Sequence, residues 1–165
     1  MKIENIIGYL QNCILLLIPI MLWNVIFAEQ LPPAYLAEIF QKDIPPFITG
    51  GENFFRALVF VLPVFMPLRI STSTQKFGVS LYILGVLIYF SSWLMQMYFP
   101  QSDWSLSAAG FLAPAYTALI WLVGIGLIGR ELYFQAPYKE WFYMALSTVF
   151  LAFHVSHTWI VYSRI

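Results

Sequence analysis

The sequence predicts an all-α fold: a polytopic integral membrane bundle of five transmembrane helices, N-in/C-out, forming a single domain over residues 1–165. Three observations predict it. Hydrophobic residues make up 61% of the chain and charged residues 10%, with a mean hydropathy of +0.77, whereas soluble domains are roughly 45–50% apolar and about 25% charged. Apolar runs recur along the chain at close to the ~20 residues that cross ~30 Å of hydrocarbon. The alternating pattern of a membrane β-strand is missing, and lipid offers no partner for backbone N–H and C=O groups, so the runs are expected to be helices.

The first span, about 6–27, reads "IIGYLQNCILLLIPIMLWNVIF". Lys2 precedes it as in a signal peptide, but "VIFAEQ" lacks a small-x-small cleavage pattern, so it reads as a retained helix. The second span, about 53–70, carries "FFRALVFVLPVFMPLRI", and the third, about 78–99, carries "GVSLYILGVLIYFSSWLMQMYF". The fourth covers about 106–129 and the fifth about 141–163. Pro19, Pro63, Pro67 and Pro114 fall inside spans, where each removes a donor and frees a carbonyl, so kinks are expected there, above all in "LPVFMP". The Ala109-x₃-Ala113 pair and Gly124, Gly126 and Gly129 suit close helix packing, and the glycine-rich end of the fourth span could support a homodimer.

Connections are short except for 28–52. There, between "LPP" and "IPPF", Leu36, Ile39 and Phe40 fall at helical spacing opposite Glu38, Gln41 and Lys42. A short amphipathic helix on the outer interface is expected, either a plain connector or a lid over a cavity. The N-in orientation places Lys2, Arg69, Lys76, Arg130 and Lys139 inside and Lys42, Arg56 and Arg164 outside, five against three. Net charge is zero, which gives no reason to expect nucleic acid as a partner, and the single cysteine, Cys13, excludes an intrachain disulfide.

Both histidines lie in "FHVSHTW" (153–159) of the fifth span. At about 1.5 Å per residue, His154 falls about 20 Å from Trp141, in the outer half of the membrane. Ser147, His154 and Thr158 share a helix face with His157 beside it, and Asn24, Ser92, Gln96, Tyr116 and Thr117 reach similar depths or the midplane from other spans. Glu52 and Arg56 form an i, i+4 pair in the favourable order at the outer start of the second span. Ionisable residues in a membrane mark a wet or functional interior. An outward-facing cavity is therefore expected, with His154, His157, Asn24, Glu52, Arg56, Ser92, Gln96, Tyr116 and Thr158 as its candidate ligand-binding residues and His154 favoured over His157.

Two histidines on one helix, without a compact acid such as that of HExxH, do not make a metal site, and none is expected. No cofactor is expected either. The occupant predicted for the cavity is a membrane lipid or amphiphilic small molecule. Two other readings stay open: a membrane enzyme acting on such a lipid, with His154, His157 and Glu52 as candidate catalytic groups, and an accessory subunit whose histidines meet a partner helix or a shared haem.

Three segments carry a family resemblance. "LPPAY" after the first span, "PPFITGGENFFRALVFVLPVFMPL" (45–68) and "APAY" (113–116) resemble segments of the EXPERA-domain membrane proteins, which include the emopamil-binding sterol isomerases and the sigma-two receptor. The resemblance implies a small helical bundle with an intramembrane cavity for sterols and amphiphilic amines. The chain departs from the pattern in having Ala57 where that family has an acid in its second span, Asn24 or Glu29 where it has one late in the first, and a fifth span that carries the histidines. The resemblance therefore implies a hydrophobic-ligand cavity without implying isomerase chemistry.

Overall fold

A computed structural model describes residues 11–165. Lys2 and the start of the expected first span, residues 6–10, lie outside the described residues. The structure is 75% helical, and among the described residues there are no strands and five helical stretches long and apolar enough to span a membrane: Cys13–Gln30, Pro46–Phe65, Ser73–Tyr98, Ala108–Ile128 and Glu140–Tyr162.

The first span opens on a 3-10 turn, Cys13–Leu16, capped by the Asn12 side chain, and continues as α1, Ile18–Phe27. Pro19 sits in the first turn of α1, where a missing N–H is tolerated, so it starts the α-helix and does not kink it. A 3-10 turn, Ala28–Gln30, ends the span.

The long connection forms another such turn, Pro33–Tyr35, and then α2, Ala37–Phe40. It is tied to the ends of the fourth and fifth spans. Tyr35 donates to the Phe111 carbonyl at 2.7 Å, and Arg164 donates to the carbonyls of Lys42 and Asp43, the latter at 2.6 Å. Asp43 adopts φ 51°, a left-handed conformation that its short polar side chain tolerates.

The second span begins at Pro46, earlier than the expected 53. Proline's fixed φ favours the first helical position, and the Gly50–Gly51 pair is absorbed into α3, Pro46–Val61. A 3-10 turn, Leu62–Phe65, closes it. Pro63 and Pro67 thus terminate the span instead of kinking it, and residues 66–70 are not helical. The backbone there pairs with the start of the chain, Cys13 N–H donating to the Met66 carbonyl at 2.8 Å and Leu68 N–H to that of Gln11 at 3.0 Å.

The third span is α4, Ser73–Tyr98, whose start is fixed by a capping box between Thr72 and Gln75. After a short α5, Asp103–Leu106, the fourth span runs as α6, Ala108–Tyr116, and α7, Ala118–Ile128. Pro114 cannot bond the carbonyl of Gly110 four residues back. That carbonyl accepts instead from Gln96 Nε2 at 2.8 Å, and the helix steps at Thr117 just beyond. The fifth span is α8, Glu140–Tyr162.

The fourth span is central: 67% of its most apolar window is buried, against 17% to 33% in the other four. Its axis passes α4 closely, because a Cβ on Gly85 would lie 2.4 Å from the Trp121 nitrogen and one on Gly124 would lie 2.6 Å from that of Tyr82. Gly126 and Gly129 pack against Met144 and Met66, so the glycines of this span are used within the chain. On its other side the fourth span meets α8, which in turn packs on α3. The outward faces are apolar, as at Val25, Ile26 and Leu87. α1 is held to α4 by side chains: Trp23 stacks on Phe90, Tyr89 donates to Asn24 Oδ1 at 2.8 Å, and Tyr82 donates to the Leu16 carbonyl at 2.7 Å.

Candidate functional site

Glu52 lies about 9 Å along α3 from Pro46, at the end of the bundle where residues 28–45, 99–107 and the C-terminus gather. It is 1% exposed. A buried carboxylate requires partners to offset the loss of water, and Glu52 has three. Arg56, one turn on, pairs with Oε1 while its own side chain stays partly exposed and lies over the Phe150 ring. From α8, His154 Nδ1 lies 2.9 Å from Oε1 and His157 Nδ1 lies 2.5 Å from Oε2.

Glycine makes this approach feasible. A Cβ on Gly51 would meet the Phe153 ring at 2.4 Å, so the bare backbone lets α8 close on the helix face next to Glu52. The spacing of His154 and His157 then aims one imidazole at each carboxylate oxygen.

His157 is held in turn by backbone. His157 Nε2 lies 2.8 Å from the Phe40 carbonyl, and the Phe40 ring stacks on the imidazole at 4.4 Å. A carbonyl oxygen only accepts, so Nε2 carries a hydrogen. One further hydrogen then lies between His157 Nδ1 and Glu52 Oε2, as imidazolium beside carboxylate or as imidazole beside carboxylic acid; with Arg56 the cluster carries the same charge in both forms. Oε1 is an acceptor in both, so His154 donates to it through Nδ1. In the neutral ring this leaves Nε2 as an acceptor, and it has no hydrogen-bond partner among the described residues.

His154 lines a cavity of about 240 Å³ between α1, α4, α6, α8 and the long connection. Its walls are largely aromatic, with Tyr35, Phe40, Tyr89 and Trp93, and its polar side chains include Asn24, His154 and Thr158. Asn24 spends its Oδ1 on Tyr89, and its amide nitrogen has no partner among the described residues. Thr158 donates to the His154 carbonyl at 2.8 Å and keeps its acceptor lone pairs. Among the described residues neither lysine nor arginine lines this cavity, and Glu52 stands behind His154.

The nine candidate residues are thus divided. Glu52, Arg56, His154 and His157 form one hydrogen-bonded cluster, and Asn24, His154 and Thr158 share the cavity wall. Ser92 and Tyr116 lie instead on a groove between α4 and the fourth span, and their hydroxyls bond the Tyr89 and Ala109 carbonyls. Gln96 spends its amide on the Gly110 and Ser105 carbonyls. Of the histidines, His157 is the fully buried one and His154 the one that reaches the cavity. Sequence reasoning did not single out Tyr89 and Trp93, which are aromatic residues among many, or the Phe40 carbonyl, a backbone atom without a sequence signature.

Among the described residues no group of three or more histidine, cysteine, aspartate or glutamate side chains is placed to hold a metal ion. A shared haem would find only His154 Nε2, because both nitrogens of His157 are engaged. Comparisons with family models, curated proteins and solved structures find no match to the chain.

Proposed function

We propose that the chain is a multi-pass membrane protein that binds the polar head of a lipid-like or sterol-like amphiphile in the cavity beside His154. The basic-residue asymmetry supports an N-in/C-out arrangement in which this end of the bundle is on the outer side and α2 is at the interface. One observation carries the reading: an aromatic-walled chamber holds a hydrogen-bond acceptor on His154 and an amide donor on Asn24, both without partners among the described residues. Two convergent polar groups orient a head, and aromatic walls keep water from it. Without a lysine or arginine among the described lining residues, an uncharged head fits better than a phosphate.

Mass spectrometry of the gently extracted protein tests this. The wild-type protein should retain an amphiphile adduct that Ala115→Phe, which fills the cavity wall, loses. Equal adducts in both proteins, or none in either, would overturn the reading.

The Glu52–His154 pair favours a second reading, a membrane enzyme acting on the bound lipid with His154 as proton-transfer group. A carboxylate holding Nδ1–H leaves Nε2 as a base at the cavity edge. On this reading His154→Gln retains the adduct but no longer converts it; unchanged turnover in that variant excludes it.

A further inference from the structure

Tyr35 stands in the walls of two cavities. One is the 240 Å³ chamber beside His154; the other is a basin of about 600 Å³ at the rim, walled by apolar side chains such as Pro32, Leu106, Phe111 and Ile165. The inner chamber is smaller than the ~300–1,000 Å³ of ordinary ligand sites. An amphiphile whose head reaches His154 must therefore place its body outside that chamber, and the basin shares the Tyr35 side chain with it.

The closed position of Tyr35 is well defined. Its hydroxyl donates to the Phe111 carbonyl at 2.7 Å, and its ring stacks on Phe111 at 4.5 Å. Burial holds the phenol well above its usual range, so it stays a neutral donor. Its surroundings leave the side chain as the moving part. Tyr35 ends a 3-10 turn between Pro32 and Leu36, both extended, while the chain beyond is fixed at Phe40 by His157 and at Lys42 and Asp43 by Arg164.

We propose that the two cavities are halves of one ligand site: the basin takes the apolar body, the inner chamber takes the head, and Tyr35 is the gate between them. Opening breaks one hydrogen bond and two ring contacts, the close stack on Phe111 and a looser one on Phe40 at 6.5 Å, and it leaves the connection in place. The identity of the ligand rests on the amphiphile-binding reading above; the gate itself is tested without ligand.

The test is cysteine labelling in detergent with a membrane-impermeant methanethiosulfonate bearing a trimethylammonium group, in a Cys13→Ala background. Ala115→Cys reports on the inner chamber and Ser163→Cys on the basin. With Tyr35 in place, Ala115→Cys should react slowly and Ser163→Cys quickly. Tyr35→Phe should speed the inner reporter about threefold to tenfold, the worth of one net hydrogen bond, and Tyr35→Ala should speed it further, with the outer reporter unchanged. Should Tyr35→Ala lose its monodisperse elution, Tyr35→Phe, which keeps the ring, carries the comparison. An inner rate that is the same with Tyr35 and Phe, or both reporters accelerating together, would overturn the gate. A Tyr35 effect without any adduct fails the binding reading and keeps the gate; an adduct without a Tyr35 effect does the reverse.

Discussion

His157 Nδ1 and Glu52 Oε2 lie 2.5 Å apart, and both side chains are shut away from the surface. Because the opposite nitrogen of the same ring holds the Phe40 carbonyl, this contact joins α3, α8 and the long connection at one point. The carboxylate so held also fixes the ring of His154 at the cavity wall. On the proposed reading, binding, gating and any proton transfer depend on Glu52 staying where it is.

Removing the carboxylate should be severely destabilising. Glu52→Ala leaves two imidazoles and part of a guanidinium without their acceptor, and breaking a buried pair from one side costs about 3–5 kcal/mol. Glu52→Gln, which keeps one acceptor oxygen, should lose less. Thermal denaturation in detergent gives the order, and a neutral Glu52→Ala would contradict the cluster.

The two histidines should differ in stability. His157 is fully buried with both nitrogens engaged, whereas His154 makes one ring hydrogen bond and is partly exposed. His157→Ala should cost about 2–4 kcal/mol and His154→Ala about 1 kcal/mol. The same denaturation series checks this, and the reverse order would contradict it.

Glycine substitutions should separate packing from propensity. Gly85→Ala and Gly124→Ala each drive a methyl group into backbone of the facing helix and should cost about 1–3 kcal/mol. Gly50 has open space at its Cβ position, so Gly50→Ala should be neutral or gain up to about 1 kcal/mol.

Gln96 and Pro114 should be coupled. Gln96→Leu strips the Gly110 carbonyl of the donor that replaces the missing proline N–H, a loss of about 1–2 kcal/mol. In a Pro114→Ala background the helix supplies its own N–H, and the same substitution should cost less. A double-mutant cycle measures the difference, and simple additivity would contradict this role for Gln96.

Much of this was legible from residue spacing. Apolar run length sets the spans, and i, i+4 spacing pairs Glu52 with Arg56. Depth along a helix places Glu52 level with the histidines. Depth gives height, however, and not which way a side chain faces around the bundle. Ser92 and Tyr116 reach a suitable height yet lie on another groove, and Gln96 lines the outer basin and not the chamber, because the close passage at Gly85 and Gly124 sets how α4 meets the fourth span. The start of α3 at Pro46 was missed because proline both ends a connection and begins a helix. The Ser147–His154–Thr158 face favours His154 over His157 by spacing, and spacing carries no sign of the buried bond from His157 to Phe40, which pairs a side chain with a main-chain atom more than a hundred positions away.

The central claim is that the chamber beside His154 receives the head of an amphiphile. Its most direct test is photo-crosslinking with a long-chain alcohol that carries a diazirine next to its hydroxyl, followed by peptide mapping. The expected result is labelling at Tyr89–Trp93, Pro114–Ala115 or His154–Thr158 that Ala115→Phe abolishes. Labelling confined to outward-facing positions such as Val25, Ile26 and Leu87, and unchanged by Ala115→Phe, would contradict it.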